Sequence, residues 1–129
     1  MRRPGEFTDW AGRHPGFGPY AAVVRNVVDG DTIDCLIDVG FNSYLYSTIR
    51  LAGIDAPEKN RAVSKDAGVA AKVYLEQQLP LGTRVVLHTK PDPDSFGRYI
   101  AYVVRASDEA DVNTLMTASG HAKVRHDYD

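Results

Sequence analysis

The sequence predicts a mainly β fold with helices, of the α+β class. Short runs of β-branched and aromatic residues alternate with polar ones, Gly- and Asn-containing turn signals separate the runs, and one stretch of helical spacing follows the third run. Tyr20 to Val28 alternates in this way and Thr32 to Val39 repeats it, with Asp29-Gly30 between them as a hairpin signal. Gly40-Phe41-Asn42-Ser43 is a second turn, and Tyr44 to Ile54 is a third strand, long enough to curl around a barrel. Ser64 is the expected N-cap of a helix in which Ala67, Ala70, Ala71, Tyr74 and Leu75 recur at helical spacing, until Pro80 and Gly82 stop it. Arg84 to Thr89 reads as the fourth strand, Pro91-Asp92-Pro93-Asp94-Ser95 as an exposed loop, and Arg98 to Arg105 as the fifth strand. Asp111 caps a short helix carrying Val112, Leu115 and Met116, which Gly120 ends in a left-handed conformation. Five strands with a helix between the third and fourth is the order of an OB-type barrel, one of several β-rich arrangements this pattern allows.

A chain of 129 residues is long enough for one core and too short for two. Residues 1–18, rich in Gly and Pro and without periodicity, read as an irregular arm, and residues 19–129 as the folded domain. With 43% apolar and 25% charged residues, the composition is that of a soluble globular protein, enzyme or binding module alike. Fifteen Lys and Arg against 17 Asp and Glu give a net charge of −2, which is not the strongly basic balance expected of a protein that grips DNA mainly by neutralising phosphates. Any nucleic-acid site must be a local patch, to which a bound cation would add positive charge. Cys35 is the single cysteine, so an intrachain disulfide and a thiolate cluster are both excluded, and its alternation with Ile33 and Ile37 reads as a buried, inert thiol. His14, His88, His121 and His126 lack close metal-ligand spacing. No continuous apolar segment follows Met1-Arg2-Arg3, so a cytoplasmic protein without membrane contact is expected.

Three motifs carry chemistry. Asp29-Gly30-Asp31-Thr32 ends the first apolar run, Arg50-Leu51-Ala52-Gly53-Ile54-Asp55-Ala56-Pro57-Glu58 ends the third, and Phe96-Gly97-Arg98-Tyr99 opens the last. Hydrolysis of a phosphodiester passes through a five-coordinate phosphorus with added negative charge. The planar guanidinium of Arg50 or Arg98 suits it, because it donates paired hydrogen bonds to phosphate oxygens and stays charged. The carboxylates of Asp31 and Asp55 suit a hard cation, and Glu58, set across the rigid Pro57, can stand beside it without ligating. Taken singly, the first motif is a hairpin turn, each arginine a solvated strand end, and Asp55 to Glu58 a capping or turn device.

Together and in this order, with the tail Val112-Asn113 to Gly120-His121-Ala122-Lys123-Val124, the motifs resemble the staphylococcal nuclease (thermonuclease) family, over about Ala21 to Tyr128. The resemblance implies a five-stranded OB-fold β-barrel with two helices and a Ca²⁺-dependent nuclease. It would act as a monomer on DNA and also on RNA, by metal-activated attack of water with the 5′-oxygen leaving. It further implies that Arg50, Glu58 and Arg98 are catalytic, with Glu58 taking a proton from the attacking water or positioning it. Asp31, Asp55 and the backbone carbonyl of Ala56 would hold Ca²⁺, and Phe96, His126 and Tyr128 would contact the nucleotide. Several positions depart from the family pattern. Ala56 replaces a threonine, Phe96 and His126 replace tyrosines, Ser95 replaces a lysine, the loop Lys59 to Val63 is short, and the sequence ends before the helix that follows the tail in the family. The alternative is a non-catalytic nucleic-acid or protein-binding module on the same barrel.

Overall fold

A computed structural model describes residues 18–90 and 93–125 of the protein. The strands are β1 (Tyr20–Asp29), β2 (Thr32–Gly40), β3 (Ser43–Leu51), β4 (Ile54–Asp55), β5 (Arg84–Thr89), β6 (Tyr99–Arg105) and β7 (Lys123–Val124), and the helices are α1 (Lys65–Gln78) and α2 (Val112–Ala118). Five of the strands close into a barrel in the order β1-β2-β3-β6-β5, as the OB-type expectation requires. The ladders are antiparallel except β3–β6, which is parallel and joins Ile49, Arg50 and Leu51 to Tyr99, Ile100 and Ala101. The β1–β5 ladder, Tyr20 opposite Leu87 to Val23 opposite Arg84, shuts the barrel. Two irregularities in β1, at Val24/Asn26 and Val27/Asp29, bend the strand as closure demands.

The core follows the period of two. Val24 and Val27 of β1, Ile33 and Cys35 of β2, Ile49 and Leu51 of β3, Val85 and Leu87 of β5 and Val103 of β6 point inward and are buried. Burial and the neighbouring Asp34 push the Cys35 thiol up to about 12, so it stays protonated as the sequence implied. Asn113 pins α2 to the barrel through a buried amide. Its Oδ1 accepts the Val103 N–H at 2.9 Å, and its Nδ2 donates to the Ala52 and Ala101 carbonyls at 2.7 and 3.3 Å.

The structure corrects four local expectations. The third strand does not run on to Ile54: it stops at Leu51, Gly53 turns in the left-handed region at φ +74°, and Ile54–Asp55 pairs instead with Lys123–Val124. Arg98 lies just before β6 rather than in it. Ser64 is the N-cap residue, but its hydroxyl donates to the Glu58 carbonyl at 2.6 Å and makes no cap bond. Finally, α1 buries Gly68, Ala71 and Leu75, while Ala67 and Ala70 face solvent. Asp111 does cap α2, accepting the Thr114 N–H at 3.2 Å, and Gly120 is left-handed at φ +82°.

Two glycines let α1 meet the loops of the barrel mouth. A Cβ on Gly68 would lie 2.4 Å from the Lys59 nitrogen and 2.7 Å from the Glu58 carbonyl carbon, and one on Gly30 would lie 2.6 Å from the Ala71 Cβ and 2.9 Å from the Ala56 Cβ. Gly30 has no positive φ, so it is needed in its turn for close approach rather than for backbone freedom. The arm at residues 1–18 lies outside the described residues apart from Gly18. No helix among the described residues is long and apolar enough to cross a membrane.

Candidate functional site

A cleft of about 700 Å³ opens on the outside of the barrel, where β2 begins and β3 ends. Because Ile49 and Leu51 turn inward, Arg50 between them must turn outward, yet its side chain is only 4% exposed. A guanidinium so buried must be paired to be tolerable. Its Nη2 lies 3.1 Å from Asp55 Oδ1 and 3.6 Å from Asp31 Oδ2, and its Nη1 donates to the Leu51 carbonyl at 3.3 Å. One nitrogen thus brackets the two carboxylates that the sequence singled out, and the reading of Arg50 as a solvated strand end does not hold.

Asp31 is fixed from several sides. Its Oδ1 accepts the Thr32 hydroxyl at 2.9 Å, its Oδ2 accepts the Ala56 N–H at 2.9 Å, and its carbonyl accepts the Leu51 N–H at 2.8 Å. The Ala56 bond ties the loop after β4 to the Asp29-Gly30-Asp31 turn. Lys59 adds a second tie, donating to the Val28 carbonyl at 2.9 Å and lying 3.8 Å from Asp29 Oδ1. Asp55 is more open, with a side chain 57% exposed.

Arg98 enters the cleft from the loop before β6, where Asp94 builds the turn. Asp94 Oδ1 accepts the Phe96 and Arg98 N–H groups, both at 2.9 Å, while Oδ2 accepts Arg98 Nε and pairs with Nη2, again at 2.9 Å each. Burial pushes this carboxyl up, but the two backbone donors and the Arg98 guanidinium outweigh it, so Asp94 sits below the usual carboxylate range. The expectation of an exposed loop therefore fails at Asp94, whose side chain is 7% exposed; Pro91 and Asp92 lie outside the described residues. Phe96 is exposed, and its ring centroid is 5.2 Å from the Arg98 guanidinium.

Glu58 lines the same cleft, but its carboxylate takes the Arg61 Nε at 2.7 Å in an exposed pair. Arg125, just past β7, reaches in from the opposite side. Its N–H is held by the Gly53 carbonyl at 2.8 Å, and its Nη1 lies 3.9 Å from Asp55 Oδ1. Asp31, Arg50, Asp55, Ala56, Glu58, Phe96 and Arg98 are therefore brought together, while His126 and Tyr128 lie outside the described residues. Sequence reasoning missed Asp94, Lys59, Arg61 and Arg125. The Asp-x-x-Gly-Arg spacing was a usable signal for Asp94, because Asp accepting backbone N–H groups ahead of a left-handed Gly97 is a known turn chemistry. Nothing local marked Arg125.

The lining carries Asp29, Asp31, Asp55, Glu58 and Asp94 against Arg50, Lys59, Arg98 and Arg125, so its formal charges nearly cancel. A phosphate entering it meets fixed guanidinium groups but no net positive field, unless a cation is added.

Comparison with known proteins places these features among relatives. A model of the family described as staphylococcal nuclease homologue matches residues 48–129. Endonuclease YhcR of Bacillus subtilis (strain 168) is 32% identical over 114 residues, which cover 81% of this chain and 9% of that protein. An uncharacterized protein, MJ1439, of Methanocaldococcus jannaschii is 28% identical over 140 residues, covering 92% of this chain and 64% of its own length. The chain therefore spans less than two thirds of either relative.

Proposed function

Because this chain belongs to the staphylococcal nuclease homologue family, we propose that it is a Ca²⁺-dependent nuclease hydrolysing phosphodiester bonds of DNA and also of RNA. The observation that carries the reading is Arg50, nearly buried and bracketed by Asp31 and Asp55, in one cleft with Glu58 and Arg98. In the free protein these two carboxylates keep the Arg50 charge paired. When a phosphate arrives, its oxygens take over that pairing, with Arg98 donating from the other side, and the two planar guanidiniums stabilise the charge that builds on the equatorial oxygens. Asp94 holds Arg98 at its Nε edge and so fixes its aim.

The donor set suits a hard cation. Asp31, Asp55 and the Ala56 carbonyl offer oxygen only, and the cleft lining includes no histidine or cysteine; among the described residues no group of three or more His, Cys, Asp or Glu gathers that could hold a metal ion, so the proposed site rests on two carboxylates and a carbonyl. With two carboxylates and one carbonyl to hold it, Ca²⁺ would need water for its remaining ligands and would bind with modest affinity. When bound, Ca²⁺ supplies a positive charge that polarises the phosphoryl group and offsets the near-neutral lining. Glu58 then leaves Arg61 and accepts a proton from the attacking water or orients it, a role worth roughly 100-fold to 10,000-fold in turnover.

The test is digestion of single- and double-stranded DNA with Ca²⁺, with EGTA, and by Arg98→Ala protein prepared identically. Cleavage lost in both the EGTA and variant lanes is the expected result. Cleavage unchanged in both would trace to a contaminant. Absence of cleavage in every lane would replace the nuclease by a non-catalytic binding module on the same barrel.

A further inference from the structure

We propose that Arg125 is a specificity residue of the cleft: its guanidinium takes the phosphate next to the one held by Arg50 and Arg98, and the strand leaves the cleft across the short β4–β7 sheet. The choice of a nucleotide strand as ligand rests on the nuclease reading. Arg50 and Arg125 meet at one oxygen. Arg50 Nη2 is 3.1 Å from Asp55 Oδ1 and Arg125 Nη1 is 3.9 Å from it, so the two nitrogens stand no further apart than those distances together. That bound admits two successive phosphates, whose phosphorus atoms lie about 6–7 Å apart in a strand that rises 3.4 Å per phosphate. With Arg98 already facing Arg50 across the phosphate they share, Arg125 is placed to serve the neighbour.

The backbone of Arg125 is fixed while its side chain is not. Its N–H donates to the Gly53 carbonyl at 2.8 Å, directly after the pairing of Lys123–Val124 with Ile54–Asp55. The contact to Asp55 is at the long limit of an ion pair and joins side chains 33% and 57% exposed, so a phosphate can displace it at little cost. Arg125 is also the one residue common to the cleft lining and to that of a second hollow, of about 250 Å³. Ala52, Ile54, Tyr102 and Val124 make much of that second lining apolar, and its carboxylate, Asp111, is occupied by the Thr114 N–H at 3.2 Å and hydroxyl at 3.0 Å. Such a hollow suits the sugar and base of a flanking nucleotide, while the phosphate between the two nucleotides rests on the dividing guanidinium.

The test is fluorescence anisotropy in EGTA, so that no cleavage occurs, using a labelled dinucleotide with one phosphodiester, a trinucleotide with two, and a trinucleotide in which one linkage is a neutral methylphosphonate. The parent should prefer the all-phosphate trinucleotide to the dinucleotide by about tenfold, the effect of one charge-assisted contact. Arg125→Ala should abolish that preference and lower the salt slope for the trinucleotide by about 0.7. The methylphosphonate should abolish it in the parent, and the two changes together should cost no more than either alone. A parent without the preference overturns the proposal, as does a preference that survives Arg125→Ala. An equal loss for dinucleotide and trinucleotide overturns it too, because Arg125 would then act through Asp55. Cleavage is read separately once Ca²⁺ is restored. A preference that depends on Arg125 without any cleavage would end the nuclease reading and leave the phosphate contact standing; cleavage with a preference indifferent to Arg125 would do the reverse.

Discussion

The two halves of the cleft are built to different standards. Around Arg50, every group is held at least twice: the guanidinium by two carboxylates and a carbonyl, and Asp31 by a hydroxyl, an amide and its own backbone. Glu58, by contrast, has a firmly seated backbone, on which Ser64 and α1 rest, but a side chain held by one exposed ion pair to Arg61. Exposed pairs of this kind contribute roughly 0 to 1 kcal/mol, so the carboxylate can move at little cost. The half around Arg50 is formed in advance, and the half that on the proposed nuclease reading would handle the proton is free to swing.

That contrast can be broken from either side. The largest effect is expected from Glu58→Gln, which should lower kcat by as much as about 10,000-fold while Ca²⁺ affinity by calorimetry and Tm stay near the parent. A comparable fall in Ca²⁺ affinity would place Glu58 in the fixed half. Arg98→Ala should reduce kcat/KM by roughly 100-fold to 1,000-fold, as for loss of one fixed donor to a developing anion, read from initial rates on a defined oligonucleotide. Gly68→Ala sharpens the comparison through stability. Helix propensity alone would favour Ala by about 1 kcal/mol, but the added methyl strikes the Lys59 backbone at 2.4 Å, so urea denaturation should report a net loss of about 1–3 kcal/mol. Arg61→Ala releases Glu58 and should raise kcat by about two- to threefold, because an exposed pair holds it so weakly; an unchanged rate would mean that the pair plays no part.

A smaller effect tests the Arg98 turn. The Asp94 carboxyl is depressed, so its contribution to stability is complete above the unfolded value of about 3.9 and is lost as pH falls through the lower folded value. The Asp94→Asn protein should therefore show a flatter Tm between pH 5 and strongly acidic solution than the parent; parallel curves would refute the assignment.

Much of the barrel was legible because half-buried strands announce themselves by alternation, and Arg84 to Thr89 was read with its true bounds. The end of β3 was not, because Leu51-Ala52-Gly53-Ile54 continues an apolar run, and what breaks it is the left-handed turn at Gly53 with the pairing of Ile54 to Val124, seventy residues later. The face of α1 was misjudged for a related reason. Gly68 counts as neither apolar nor polar, yet the absence of its side chain is what lets the helix meet Lys59. Ser64 found a nonlocal acceptor that no capping rule anticipates. Within the cleft, motif residues were found because each motif is contiguous, whereas Arg125 enters through a two-residue sheet that local pattern cannot reveal.

The glycine contacts of α1 also bear on how the molecule breathes. No residue of the helix lines the cleft, yet both loops that form its floor lean closely on α1, Gly30 against the Ala71 methyl and the Glu58–Lys59 backbone against Gly68. Loosening the helix must then loosen the floor, and the two belong to one cooperative opening unit. A nucleotide that touches only the cleft should slow amide hydrogen exchange throughout α1, and the exchange rates of Ala71 and Leu75 become a remote readout of whether the cleft is filled.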